Sequence, residues 1–506
     1  GGAVAAPEAA RPRGCGAAAV VPCDSARGAS APGAGGDCGP DACALGERGC
    51  LGAGAGQAAA VAERERFWVA GIFVFLVMSQ AYTYNFYGPI SAQVESLCGW
   101  SPGDIAWVAN AANAAMLLSI PPSAGLAERS GLRAPTLICA ALLAVCTALR
   151  CAWPPGAHAG AFPLALASMT CNGLAAAWLN FAGPVISATW FPAQERGLAT
   201  AAIAVAPFLG QSVGFVVGPL AVPHGRGAAR GLQRLCAAEA ALSAAALAAV
   251  AWRFRGRPGE APSRSSGFGG AAAGPSAALG PGAGAVGAAA VQAAGPEMPR
   301  TGTRLRTWRR LALVSAVAAL PSSLYQAWVP VLAPNLAGFG VGEADAAWLG
   351  CLMSVVAAAG GLAFGRLVDH RPGRMKEMMM ACLVCTSLGF VWFALAAVRV
   401  LPGGAAALGA AGAVGSFFAN GAWAVGFELA METAYPEVPG AIAAATLSFA
   451  STVVQVAFLA VSFHNTADSA WMNWLNAFVG LLLLPALAAF QPEYARSSVD
   501  GVLCEQ

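Results

Sequence analysis

The sequence predicts an all-α membrane protein of twelve transmembrane helices in two pseudo-symmetric six-helix halves. Three observations carry that expectation. Apolar residues fill 57% of the 506 positions and Asp, Glu, Lys and Arg only 10%, against about 25% charged residues in a soluble domain. Twelve runs near the ~20 apolar residues that cross a bilayer lie between Phe67 and Phe490. One charged string occurs twice, as Gly125-Leu126-Ala127-Glu128-Arg129-Ser130-Gly131-Leu132-Arg133 and, loosened, as Gly365-Arg366-Leu367-Val368-Asp369-His370-Arg371-Pro372-Gly373-Arg374.

The runs fall near 67–90, 103–126, 134–152, 161–188, 197–222 and 233–252, then 308–333, 345–368, 375–398, 404–430, 441–463 and 471–490. The first carries Gln80, Tyr82, Tyr84, Asn85 and Tyr87 ahead of Gly88-Pro89. The second holds Asn110 and Asn113, and with the third it flanks the first copy of the charged string. Asn172, Trp178 and Asn180 lie on the fourth and Gln211 on the fifth. The sixth, Ala-rich and carrying Glu239, is the weakest. The seventh repeats the design of the first, with Tyr325-Gln326-Ala327-Trp328 ahead of Pro330. The eighth and ninth flank the second copy of the string. Asn420, Trp423, Glu428 and Glu432 lie on the tenth, Gln455 lies on the eleventh, and the twelfth completes the second half.

These spans divide the chain into a tail (1–62), a first half (63–252), a linker (253–307), a second half (308–491) and a C-terminal tail (492–506). The N-terminal tail and the linker are rich in Gly and Ala and lack apolar periodicity, so both are expected to be disordered. Of the 28 Lys and Arg, only Arg150, Arg226, Arg230, Arg234 and Arg399 fall outside if the N-terminus is cytosolic. Both termini are therefore placed in the cytosol. A net charge of +3 gives no reason to expect nucleic acid. No phosphate loop, Ser-His-Asp arrangement or metal-ligand spacing is present, so neither an enzyme, a cofactor nor a metal is expected.

Polar side chains are expensive in hydrocarbon and face a cavity or another helix. The paired aromatic-amide clusters ahead of a proline fall where duplicated carriers place their solute site. Gln80, Tyr82, Tyr84, Asn85, Asn113, Tyr325, Gln326 and Trp423 are the expected binding set. For the remaining lone Asn and Gln residues an interhelical hydrogen bond is the simpler reading. In the repeated string, Glu128 and Asp369 are expected to pair with Arg129, Arg133, Arg371, Arg374 and a neighbouring helix terminus when the cytosolic side is closed. That is a gate. Glu428 and Glu432, four apart on one helix face, either carry a proton or bind nearby arginines. His464, beside Asp468, is a third candidate for proton coupling. Cys382 and Cys385 lie inside an apolar helix and read as packing, whereas Cys98 and Cys151 are close enough to the outer face to pair.

Several strings resemble one branch of the major facilitator superfamily: Thr189-Trp190-Phe191-Pro192 with Glu195-Arg196, and Phe427-Glu428-Leu429 with Glu432-Thr433 and Tyr435-Pro436. The branch is the solute-carrier group of the feline leukaemia virus subgroup C receptor and the disrupted-in-renal-carcinoma protein. Gly88-Pro89-Ile90, Asp345-Ala346-Ala347-Trp348, His464-Asn465-Thr466 and Trp471-Met472-Asn473-Trp474 are nearer the latter. The resemblance implies a monomeric secondary transporter of a small organic solute, with proton-coupled movement of pyridoxine across a lysosomal membrane on that side. On the receptor side it implies choline, ethanolamine or haem. Receptor-type proteins hold quaternary ammonium with glutamines on the fifth and eleventh spans, where the alignment here has Phe208 and Ala450. A plasma or vacuolar membrane is an equal address. The competing class is a sensor that binds solute on a transporter scaffold without moving it.

Overall fold

The computed structural model describes residues 44–152, 158–258 except 224 and 226, then 262, 301–464 and 470–501. The chain divides into Gly1–Ala58 and Ala59–Gln506. The first unit contributes the opening turns of one helix, and the second holds the bundle. All described regular structure is helical.

The helices are α1 (Ala44–Tyr84), α2 (Ser91–Cys98), α3 (Pro102–Ser130), α4 (Arg133–Cys151), α5 (His158–Trp190), α6 (Arg196–Ala221) and α7 (Ala228–Arg253) in the first half. The second half holds α8 (Thr301–Trp328), α9 (Leu332–Ala337), α10 (Glu343–His370), α11 (Met375–Ala397), α12 (Ala405–Ala434), α13 (Gly440–His464) and α14 (Ala470–Ala489). The short α15 (Ala495–Val499) follows. Setting aside the short α2, α9 and α15, these are the twelve spans.

Eleven of the spans are long and apolar enough to cross a membrane. The exception is α3, whose 29 residues suffice in length but include Asn113 and Ser119. Both are satisfied inside the bundle: Asn113 accepts from Tyr84 Oη at 3.1 Å and Ser119 Oγ donates to the Ala115 carbonyl at 2.6 Å. Ser101 and Asp104 form a capping box that starts α3. Exposed tryptophans stand near both ends of the spans, Trp68 and Trp252 at one and Trp107 and Trp348 at the other, as in an interfacial aromatic belt.

Both expected interruptions occur. After α1 and after α8 the chain passes through one 3₁₀ turn, Gly88–Ile90 and Val329–Val331, before a short helix. Proline supplies no N–H and clashes with the preceding turn, so neither helix continues straight. One expected boundary moves. Residues 44–62, read as disordered tail, belong to α1; of these, Gln57-Ala58-Ala59-Ala60-Val61-Ala62 favour helix by propensity, while the Gly-rich residues before them do not. Residues 1–43 and most of the linker lie outside the described residues.

The halves pack alike. In the first, α3 lies on α5, and in the second, α10 lies on α12. A Cβ at Gly173 would stand 2.0 Å from the Ala112 carbonyl oxygen, and one at Gly360 would stand 2.0 Å from that of Phe417. Glycine at matching crossings lets two backbones touch where lipid provides no hydrophobic drive. Between halves, α3 packs on α13 and α6 on α10, the same exchange seen from either side. One apolar core joins residues of both halves, among them Phe73, Trp190, Val368 and Leu447.

Candidate solute-binding site

A cavity lies between the halves. The first half lines it with Gln80, Tyr84, Asn113, Asn180 and Gln211, and the second with Tyr325, Gln326, Ser354, Trp423 and Gln455. No Asp, Glu, Lys, Arg or His is among its described lining residues. The walls therefore offer amides, hydroxyls and aromatic faces without a fixed charge.

Helical geometry explains which predicted residues arrive. Val77, Gln80, Ala81 and Tyr84 recur at helical spacing, so one stripe of α1 faces the cavity. Gln80 Nε2 donates to Asn172 Oδ1 at 2.8 Å, and Asn172 Nδ2 returns a bond to the Gln80 carbonyl at 3.3 Å. Tyr325 is tilted against Phe390 with ring centroids 6.1 Å apart, and Trp423 stands edge-on to Phe427 at 4.7 Å. Six of the eight expected binding residues share this cavity. Tyr82 and Asn85 do not line it. Tyr82 is about 200° round the helix from Gln80, and both side chains instead approach Gly214 of α6.

An interhelical hydrogen bond, the simpler reading, is what Asn420 and the further candidate Trp178 make. Asn420 Nδ2 donates to the Ala357 carbonyl at 2.7 Å, and Trp178 Nε1 donates to Thr136 Oγ1 at 3.0 Å in the core. Asn110 is outside the cavity lining. Gln211 and Gln455 do line it, with Gln455 Nε2 donating to Ser451 Oγ at 3.0 Å. They are glutamines on the fifth and eleventh spans, displaced along the helix from Phe208 and Ala450.

At the end of the bundle that carries the charged strings, the halves are bonded together. Asp369 of α10 accepts from the N–H groups of Gly197 and Leu198, at 2.6 and 2.8 Å, in the first turn of α6. Glu128 of α3 accepts from the Ala441 N–H at 3.3 Å, in the first turn of α13. Each acid meets the positive end of a helix from the opposite half. The expected arginine partners are absent: among the described residues neither acid forms an ion pair with Arg129, Arg133, Arg371 or Arg374. Arg133 donates to the Ala251 carbonyl at 3.1 Å, near the end of α7, while Arg129, Arg371 and Arg374 are exposed. Exposed arginines gain little by giving up water for a partner.

Glu428 and Glu432 lie at this same end of the bundle, beside Asp369 and Arg496, and are not among the residues that line the cavity. Glu428 is ion-paired with Arg496 at 3.2 Å, both side chains 6% exposed, and accepts from Thr200 Oγ1 at 2.7 Å. Glu432 accepts from the Arg496 and Ser497 N–H groups at 3.1 and 3.3 Å and from Ser497 Oγ. Asp500 then pairs with Arg196 of the first half at 2.7 Å. The short α15 thus ties both halves together, which hydropathy gave no means to anticipate. His464 closes α13, but its side chain and Asp468 lie outside the described residues. Cys98 and Cys151 are free thiols, as are Cys382 and Cys385.

The family model of the Major Facilitator Superfamily matches residues 69–398. The chain belongs to this superfamily. Two curated relatives are similar over nearly the whole bundle, the solute carrier family 49 member 4 homologs of Xenopus laevis and Xenopus tropicalis. Each is 27% identical, over 86% of this chain and 93% of the relative. Among solved structures, the proton:xylose symporter XylE has a TM-score of 0.62 at 15% identity, covering 87% of this chain and 99% of that one. The human organic anion transporter MFSD10 has a TM-score of 0.59 at 16% identity, covering 83% and 99%. These likenesses establish the twelve-helix superfamily fold. The chain is a multi-pass integral membrane protein of a family that carries small solutes.

Proposed function

We propose that this superfamily member is a secondary transporter that moves a small organic solute by alternating access, coupled to protons, with a pyridoxine-like vitamin as cargo. The observation that carries this reading is the uncharged cavity of amides and aromatic rings between the two halves. A flat, hydrogen-bonding solute can stack on Tyr84, Tyr325 or Trp423 and meet Gln80, Asn113 and Gln326 at its edges. The strings resembling the disrupted-in-renal-carcinoma branch and the match to the solute carrier family 49 member 4 homologs support that cargo. The carrier acts as a monomer with both termini cytosolic, in a lysosomal, vacuolar or plasma membrane. Glu428, Glu432 and His464 are the candidates for the coupled proton, and Glu428 directly follows the cavity residue Phe427.

Gln211 and Gln455 favour a second cargo. Glutamines on these two spans together with aromatic faces suit choline or ethanolamine, because a cation is held by ring quadrupoles without a carboxylate. Uptake of radiolabelled pyridoxine into proteoliposomes, with and without an inward proton gradient and with choline as competitor, separates the two. Gradient-stimulated uptake that ignores choline is expected. Saturable choline uptake without pyridoxine flux would assign the receptor-type cargo instead.

Tyr325→Ala removes one aromatic wall and is expected to raise KM about tenfold, the range of a single stacking or cation–π contact. Because Tyr325 is 1% exposed and packs on Phe390, the thermal melt should fall as well, by the cost of about 3–5 kcal/mol for truncating a buried aromatic, and KM is read on the fraction that stays folded. An unchanged KM would take Tyr325 out of the site.

A further inference from the structure

The interrupted end of α1 is held by a buried cation that solute binding, as described above, does not use. Arg150 closes α4 and is ion-paired with Glu239 of α7 at 2.9 Å, both side chains 1% exposed. Its Nε donates to Ser168 Oγ of α5 at 3.0 Å, and its Nη2 donates to the Thr83 carbonyl of α1 at 2.9 Å. The guanidinium also lies over Phe86 at 4.5 Å and Tyr87 at 5.3 Å. One side chain therefore joins four helices of the first half at the place where α1 stops.

Why a charge should be retained there follows from α1 itself. A helix end leaves carbonyls without intrahelical donors and carries partial negative charge. Gly88-Pro89 ends α1 within the bundle, where water is not the obvious partner. Arg150 supplies a donor and a positive charge at that terminus, and Glu239 balances the charge. The bonded carbonyl is on Thr83, one residue before Tyr84, whose hydroxyl meets Asn113 in the cavity wall.

We propose that Arg150 is a positioning residue for solute binding: it caps the broken end of α1 and so sets Tyr84 against Asn113, with Glu239 as its counter-charge. The proposal rests on the cavity being the solute site. Lysine keeps the charge but lacks the planar fork, so it cannot serve Ser168, Thr83 and Glu239 together.

The test compares Arg150→Lys, Arg150→Gln and Tyr84→Phe, using proteoliposome uptake of radiolabelled pyridoxine, or of choline if that is the cargo, together with amide hydrogen exchange. Arg150→Lys is expected to raise KM about tenfold with Vmax within about twofold, the size of one charged hydrogen bond. Exchange should quicken at residues 83–90 and stay at the parent rate through the middle of α5 and α7. Arg150→Gln should move both quantities further in the same direction. A parent-like KM and exchange pattern in Arg150→Lys, beside a raised KM in Tyr84→Phe, overturns the proposal. So does faster exchange spread evenly over the half, which is the mark of a purely structural ion pair. If Tyr84→Phe itself leaves KM unchanged, the cavity assignment fails, and unaltered exchange at 83–90 would separately refute the cap.

Discussion

Gly365→Val is expected to cut net transport by roughly one to two powers of ten by hindering closure at the end that carries the charged strings. A Cβ on Gly365 would stand 2.3 Å from the Ala201 Cβ and 2.6 Å from the Gly197 carbonyl oxygen. Both obstacles are rigid parts of α6, and the same crossing seats Asp369 on the Gly197 and Leu198 N–H groups. Overpacking of this kind costs about 1–3 kcal/mol even where neighbours relax, and backbone relaxes least. The closed state should lose roughly one to two powers of ten in population relative to the open one. Spin labels on Ser130 and Arg371, one in each half, should then report a longer separation. The first copy of the string provides the control. Gly125 has nothing within 4 Å of its would-be Cβ, so Gly125→Val is expected to transport like the parent. Equal loss in the two variants would mean that the copies are mechanically equivalent, contrary to the geometry.

Arg496→Ala is expected to weaken the same closed state by a different route. It leaves the buried Glu428 carboxylate with Thr200 as its remaining hydrogen-bond partner named above. Removing one member of a buried pair costs about 3–5 kcal/mol, most of it the desolvated charge left behind. The apparent melting temperature should fall clearly, and the label separation at the gate should lengthen. Arg496→Met combined with Glu428→Met removes both charges and should recover most of the lost stability. If the double variant is no better than Arg496→Ala, the ion pair is not what α15 contributes. Asp500→Asn tests the other arm, its pairing with Arg196 of the first half.

The legible and illegible parts of this protein differ by kind of interaction. Gly88-Pro89 and Pro330 mark the ends of α1 and α8 because a proline's effect on its own helix is local. Glu128 and Asp369 stood out because their setting is repeated, yet of the arginines beside them Arg129, Arg371 and Arg374 are exposed and Arg133 bonds to the Ala251 carbonyl. Proximity in sequence did not make an ion pair. Tyr82 and Asn85 belonged to the right cluster and the wrong helix face. Arg150 was read as an outer-end charge and Glu239 as a defect in the sixth span. Each makes sense only with the other, across 89 residues of chain.

By itself the sequence determined the membrane class, the twelve spans, the duplication, the two interruptions and the two acids of the repeated string. All of these follow from hydropathy, local backbone preference or repetition, which are properties of a residue and its near neighbours. The tertiary structure alone decided which polar side chains share the central cavity, which half each acid of the repeated string engages, and that α15 with Asp500 ties the two halves together. Those outcomes depend on how rigid helices are rotated and crossed. The crossings are set by close contacts such as Gly173 on Ala112 and Gly365 on Gly197, where a single methyl group would change the angle.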